Sequence, residues 1–500
     1  MLAAARTFAL LGVEAREVQV EVHVGPGLPA FSLVGLPDAA VRESRERVRA
    51  ALVNSGFKFP QQRITANLAP ADLRKAGPGF DLAIAAALLV ASDQLSPERI
   101  ERTALAGELA LDGSIRPVAG TLAIAEAAGH CGFEAIAVPT ANAPEAMLAA
   151  NAKVIPLARL QELGSLGTDD EPRPPAEPAW SQNGSRPAVP DLADLRGQPF
   201  LAYALEVAAA GGHSVLVVGP PGAGKSLAAR RLPSILPPLS RPEGLEVLRI
   251  ASACGRASLI DSPATRPFRA PHHTVSTAGL VGGGSPPRAG EVTLAHRGVL
   301  FLDELGEFSR EALEALRQPL EEGRVTIVRA RHAIELPCRF MLVAASNPCP
   351  CGRGVESGEC ECQPASVRRY RAKLSGALAD RIEIAISVGR PTAADMAAAA
   401  AVDSAGVRGR VIAARERQER RLGPGRCNGD MTLAELRDAC RLQAAAKRML
   451  ADGHSRLKLS GRGHDRVLRL SRTIADLDGS GRVSEEHVAR ALTLRRRGFG

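Results

Sequence analysis

No apolar run in this 500-residue chain approaches the roughly 18 residues needed to cross a bilayer; the longest candidate, residues 82–91, is far too short. Residues 1–13 lack the charged, apolar and small-residue succession of a secretory signal. Both absences argue against a membrane-spanning or secreted protein and predict the cytoplasm, where the nine cysteines would stay reduced. Lysine is scarce, occurring only at 58, 75, 153, 225, 373, 447 and 458 among 63 basic residues. Arginine is therefore the default cation, and an isolated Arg carries little functional weight, whereas a lysine kept at a motif position carries more. Tryptophan occurs once, at Trp180, and no role is assigned to it. No internal repeat of about 20–50 residues is visible.

What is present fits two to four packed domains, with 45% hydrophobic content. The formal charge of +9 favours acidic partners, nucleic acid among them, though weakly at this length. Four blocks are legible. Residues 1–165 mix strand-like runs (17–24, 63–68) with helical ones (39–55, 81–91, 122–128). Residues 166–190 are polar and Pro-rich, which predicts a linker. Residues 191–390 are α/β, with short apolar runs at 215–218, 299–302 and 340–345 suited to a parallel sheet buried on both faces. Residues 391–500 turn helical, with a Thr432–Glu435 capping box and a helical run over 464–477.

The most specific signal is Gly219-Pro220-Pro221-Gly222-Ala223-Gly224-Lys225-Ser226, between an apolar run and a helical pattern. A Gly-rich turn there can be mere packing, but all eight positions match a phosphate-binding loop. Its backbone N–H groups would cradle phosphates, Lys225 would reach the β- and γ-phosphates of ATP, and Ser226 would hold Mg²⁺. A second apolar run ends in Asp303-Glu304. A buried strand would deliver these acids beside the phosphates, Asp303 acting on Mg²⁺ and Glu304 polarising the attacking water. A third run ends in Asn347, whose neutral amide could orient water or touch the γ-phosphate; Asn after a strand is otherwise a common turn former.

Cys349, Cys351, Cys360 and Cys362 match the ligand count of a tetrahedral Zn²⁺ site, although C-x-C is tighter than the usual C-x-x-C knuckle. Free or redox-active thiols remain the alternative. Cys131, Cys254, Cys338, Cys427 and Cys440 read as ordinary small residues. His272-His273 reads poorly as a metal site, because adjacent side chains share neither a helix face nor a strand face.

The motif order resembles the AAA+ ATPases, in particular their magnesium-chelatase-like branch. Pro267-Phe268-Arg269-Ala270-Pro271-His272-His273-Thr274, followed by Gly282-Gly283-Gly284 and Pro287-Arg288-Ala289-Gly290-Glu291, is similar to that branch's insert. Gln318-Pro319-Leu320-Glu321-Glu322-Gly323-Arg324 adds to the likeness. The resemblance implies that Asn347 is sensor 1, that Arg381 is an arginine finger for a neighbouring subunit, and that Arg462 lies in the sensor 2 segment. From composition alone, both arginines would be solvated surface. An arginine supplied in trans implies a ring, expected to be a homohexamer.

Residues 1–165 resemble the N-terminal domain of the ComM/YifB proteins, which has a Lon-protease-like fold. The likeness rests on Val34-Gly35-Leu36-Pro37-Asp38 and Asn67-Leu68-Ala69-Pro70-Ala71-Asp72. Gly79 stands at the place of the Lon serine and Leu122 at that of its lysine, so the dyad chemistry is absent. The implied fold class is α/β multidomain: an inactive Lon-protease-like α+β domain, an AAA+ P-loop core and a helical C-terminal lid. The resemblance further implies an ATP-driven motor on branched or single-stranded DNA that promotes branch migration of recombination intermediates, as in natural transformation. Arg-rich stretches at 367–370 and 495–497 are candidate phosphate contacts, expected to be independent of base sequence. The rival is a magnesium-chelatase-type ATPase remodelling a protein partner, disfavoured on the expectation that such a subunit lacks the N-terminal domain.

Overall fold

A computed structural model of the chain describes all residues except 150, 177–189, 257–263, 285–287, 330–331, 356–357, 375–377, 379–380, 399–401, 458 and 496–500. Trp180, most of the expected linker, Pro287, five residues just before Arg381, and Arg496 and Arg497 lie outside the described residues. The chain forms two compact units: Met1–Gly184 with Gly244–Ala264, and Ser185–Glu243 with Thr265–Gly500. Among the described residues no helix is long and apolar enough to cross a membrane.

The first unit contains β1 (Leu2–Leu11), β2 (Glu14–Gly25), β3 (Ala30–Val34), α1 (Ala39–Asn54), β4 (Arg63–Ala69), α2 (Asp81–Ala91) and β5 (Thr103–Leu105). The hairpin β6 (Glu108–Leu109) and β7 (Ile115–Arg116) follows, then α3 (Thr121–His130), β8 (Ala135–Pro139), α4 (Ala143–Ala149) and β9 (Lys153–Leu157). Seven strands form one mixed sheet in the order β3-β4-β2-β1-β5-β8-β9. Alternation sets the register: Val18, Val20, Val22 and Val24 of β2 all face the core. Helix α2 is buried on every side, as its unbroken apolar sequence requires. Its one charge, Asp81, accepts from Ser44, from Arg47 Nε at 2.6 Å and from the Leu109 amide at 3.2 Å, so burial leaves it satisfied.

Packing of this unit continues past the expected boundary at 165. Leu166 is fully buried, and the Gly167 amide donates to Glu171 at 2.9 Å. An apolar residue at the head of a polar stretch found a core to enter, so the segment after 165 begins as packed structure.

The second unit contains α5 (Pro199–Gly211), β10 (Val215–Val218) and α6 (Lys225–Ile235), followed by α7 (Arg241–Ala253), β11 (Phe268–Arg269) and α8 (Thr277–Val281). The hairpin β12 (Gly282–Gly283) and β13 (Arg288–Ala289), α9 (Glu291–Leu294), β14 (Val299–Leu302), α10 (Arg310–Ala315) and α11 (Arg317–Glu322) come next. Then follow β15 (Arg324–Arg329), β16 (His332–Pro337), β17 (Met341–Ser346), α12 (Pro364–Leu374) and β18 (Ile384–Ser387). Helices α13 (Ala393–Ala397), α14 (Ser404–Leu422), α15 (Leu433–Ala439), α16 (Ala444–Arg456), α17 (Gly461–Leu477) and α18 (Glu485–Thr493) complete it. From Gly244 onward, α7 is grouped with the first unit, where Leu248 packs with Leu122 and Leu148. The single 191–390 block expected from sequence is thus interrupted by a segment that buries its apolar face in the first unit's core.

Five strands form an all-parallel sheet in the order β11-β14-β17-β10-β18. Strands β10 and β14 occupy the predicted residues, and β17 starts one residue later than expected. All three are buried throughout, which requires helices over both faces. Part of that cover comes from the C-terminal block: Val407, Val411, Leu470 and Ile474 share one hydrophobic cluster with Leu201, Val215 and Val343. The boundary expected at 390/391 therefore does not separate two cores.

Candidate active site

Parallel strands deliver their following loops to one edge of the sheet. Strand β17 lies between β10 and β14, so the residues after it stand between the Gly-rich loop and the paired acids. The loop from Gly219 to Gly224 approaches β18 so closely that a Cβ on Gly219 would lie 2.5 Å from the Val388 carbonyl oxygen. Gly224 closes the loop with φ 82°, a left-handed conformation glycine adopts freely, and caps α6 without any side-chain hydrogen bond. The first amides of α6 are thereby left for a ligand.

Lys225 Nζ donates to the carbonyls of Gly219 at 2.6 Å and Pro220 at 3.0 Å, and to Asn347 Oδ1 at 3.1 Å. All three acceptors are neutral. Burial pushes the Lys225 pKa down, against the pull of Asp303 and Glu304. Ser226 Oγ donates to Asp303 Oδ2 at 2.6 Å. Asp303 and Glu304 directly follow the end of β14, and the Glu304 amide donates to Asp303 Oδ1 at 3.0 Å. Glu304 has φ 52° and ψ 49°, an uncommon backbone for a residue with a side chain, and its carboxylate is exposed. These five residues line one cavity of about 280 Å³ together with Pro221, Gly222, Ala223 and Gly224.

One neighbour of this group was not foreseen. His273 Nδ1 lies 3.6 Å from Glu304 Oε2, and the His273 ring sits 4.1 Å from that of His272 between centroids. Adjacent histidines in a sequence suggest metal ligands at most. A link to an acid 31 positions later has no periodic signal.

Arg381 and Arg462 do not join the cavity around Lys225; both line a separate one of about 730 Å³. The Arg381 guanidinium is mostly buried and paired with Glu321. Arg462 is exposed in the first turn of α17, which is capped by Ser460 accepting from the Gly463 amide at 3.1 Å. Of the arginines considered for DNA, Arg368 and Arg369 are exposed on α12. Arg495, by contrast, donates to the Glu383 carbonyl at 2.9 Å, which uses its guanidinium to hold the start of β18.

Cys349, Cys351, Cys360 and Cys362 come together, their sulfurs all within 4.8 Å of one another. They follow Asn347 directly, in the loop between β17 and α12. In the first unit, Gly79 lies in a turn against Val118, and Leu122 is fully buried, its amide donating to Glu145 Oε1 at 3.0 Å.

Three family models match the chain in tandem: "Subunit ChlI of Mg-chelatase" over residues 20–142, "Magnesium chelatase, subunit ChlI" over 191–396, and "Magnesium chelatase, subunit ChlI C-terminal" over 401–495. The YifB protein of Salmonella typhimurium is 42% identical, covering 99% of this chain and 97% of its own. The competence protein ComM of Haemophilus influenzae is 40% identical, covering 97% of this chain and 96% of its own. The magnesium-chelatase 38 kDa subunit of Rhodobacter capsulatus is 26% identical over 64% of this chain and 89% of its own. Because the match over 20–142 carries a chelatase description, the N-terminal domain does not by itself separate this chain from chelatase subunits. Near-complete mutual coverage with YifB and ComM does.

Proposed function

The chain belongs to the ComM/YifB family of magnesium-chelatase-like proteins, and we propose on that premise that it is a cytoplasmic ATPase working as a homohexameric DNA motor. Its task is branch migration of recombination intermediates, as in the integration of transforming DNA. The observation that carries the ATPase is the meeting of Lys225, Ser226, Asp303, Glu304 and Asn347 at one edge of one parallel sheet. The name of the ComM relative supports the link to competence. The net charge of +9 supports an anionic polymer as substrate.

The residues present suit ATP with Mg²⁺. Ser226 and Asp303, hydrogen-bonded to each other at 2.6 Å, would supply hard oxygen ligands, with water and phosphate oxygens completing the coordination. Mg²⁺ held there would offset charge on the phosphates. The amides at the start of α6 would bind phosphate oxygens, and Lys225, which among the described residues donates to neutral acceptors, would exchange these for charged ones. Glu304 orients and polarises the attacking water, and Asn347 reports the γ-phosphate to Lys225. Arg381 reaches the ATP of a neighbouring subunit, and Arg462 contributes from α17.

The N-terminal unit is a Lon-protease-like scaffold without protease chemistry, because Gly79 offers no oxygen and Leu122 no amine. The C-terminal helices act as the lid.

The test is ATP hydrolysis with and without forked and four-way DNA at several salt concentrations, with Lys225→Ala as control and casein as a peptidase substrate. DNA should stimulate turnover, steeply less so as salt rises, while casein stays intact. If neither branched nor single-stranded DNA binds or stimulates at low salt, the DNA reading is wrong. The chelatase family descriptions then favour ATP-driven remodelling of a protein partner. Casein cleavage lost on deleting residues 1–165 would overturn the scaffold assignment.

A further inference from the structure

We infer that Cys349, Cys351, Cys360 and Cys362 hold one Zn²⁺, and that this metal locks the loop carrying Asn347 against the phosphate-binding loop. Four thiolates around zinc at about 2.3 Å lie about 3.8 Å apart at the corners of a tetrahedron. The sulfur separations here are 3.3 Å for Cys349–Cys351, 3.8 Å for Cys351–Cys360 and 3.7 Å for Cys360–Cys349. None of the four is in a disulfide. Two backbone amides already point at the sulfurs: Gly354 donates to Cys349 at 3.2 Å and Cys351 donates to Cys362 at 3.3 Å. Such donors orient thiolate ligands and spread their charge. Gly352 and Gly354, with φ 82° and 86°, let the chain turn back between the two cysteine pairs.

The position of the cluster gives the metal its second role. Cys349 is two residues beyond Asn347, which accepts from Lys225. Gly352 packs on the phosphate-binding loop so tightly that a Cβ there would lie 2.9 Å from Pro221 Cδ. Beyond Cys362, α12 returns to the end of β17 and the loop after β14: Tyr370 shares a hydrogen bond with Ser346 at 3.1 Å, and Lys373 donates to the Gly306 carbonyl at 3.1 Å. One knot thus ties together the loops that follow β10, β14 and β17. The effect on turnover rests on the ATPase reading; the metal site and its packing do not.

Full-length protein purified without added zinc should contain one zinc per chain, and Cys349→Ser with Cys351→Ser should remove it. Hydrogen exchange should show faster exchange at residues 219–226 and 347–352 once the metal is lost. Gly352→Ala should keep the zinc yet loosen the same amides, which guards against simple misfolding of the cysteine variant. ATP turnover in both variants should fall about 10- to 100-fold, since misplacing reacting groups by about 1 Å costs that much. Absence of stoichiometric metal would overturn the site. Metal present but with exchange at 219–226 indifferent to its removal would overturn the lock. Wild-type protein with zinc and the metal-dependent exchange but no hydrolysis would instead count against the ATPase reading.

Discussion

His213 offers a quantitative check on the packing of the second unit. It is fully buried just before β10, its Nε2 2.8 Å from Thr473 Oγ1 on α17, and its Nδ1 has no hydrogen-bond partner among the described residues. Desolvation, with Arg469 and Arg415 nearby, pushes its pKa down to about 3 from the ordinary 6.5. The unfolded chain therefore binds a proton near pH 6.5 that the folded chain refuses until about pH 3. Stability is complete above the unfolded value and falls as pH drops below it. Between pH 7 and pH 5 the loss from this one group amounts to about 2 kcal/mol. Urea unfolding followed by circular dichroism at both pH values should show that loss in the wild type and not in His213→Gln, which keeps a donor for Thr473. Taking the difference between the two proteins cancels the carboxylates, which titrate alike in both. Equal pH dependence within about 0.5 kcal/mol would refute the burial of a neutral imidazole at this position.

Lys225→Ala should weaken nucleotide binding about 10- to 100-fold, the scale of a hydrogen bond to a charged group, whereas Glu304→Gln should bind normally and lose turnover by about 10²-fold or more. Calorimetric binding and phosphate release distinguish the two, and near-normal turnover in Glu304→Gln would remove that residue from the water-activating role. Arg381→Ala should bind ATP but hydrolyse it about 10³-fold more slowly, and mixing it with Lys225→Ala subunits should restore part of the rate, because each supplies what the other lacks. No recovery in mixed assemblies would assign Arg381 to its own chain.

Much of this fold is legible in the sequence. Strands β10 and β14 could be read because short, wholly apolar runs bounded by glycine or acids have few other uses. Helix α2 was equally plain from its unbroken apolar sequence. What sequence does not reveal is the partner against which an apolar face is buried. Leu248 on α7 and Leu166 after the expected boundary look like any amphipathic leucines, yet both join the core of the first unit. For the same reason the sequence does not show that the sheet and the C-terminal helices share one core. The approach of His273 to Glu304 was hidden differently, since proximity across a loop leaves no pattern in spacing.

That shared core bears on how the protein can be divided and inherited. Helix α5 precedes the sheet in the chain, yet buried residues along it, Leu201 and Leu205 among them, belong to the same cluster as α14 and α17. A gene ended at residue 390 would encode every residue around Lys225 but leave that greasy surface naked to water. Recombination between relatives at this boundary would meet the same obstacle, because side chains on the two sides have been fitted to one another. Natural variation in the helices should therefore be accompanied by matching changes in α5, so that the two blocks descend as one piece even though hundreds of positions separate them in the gene.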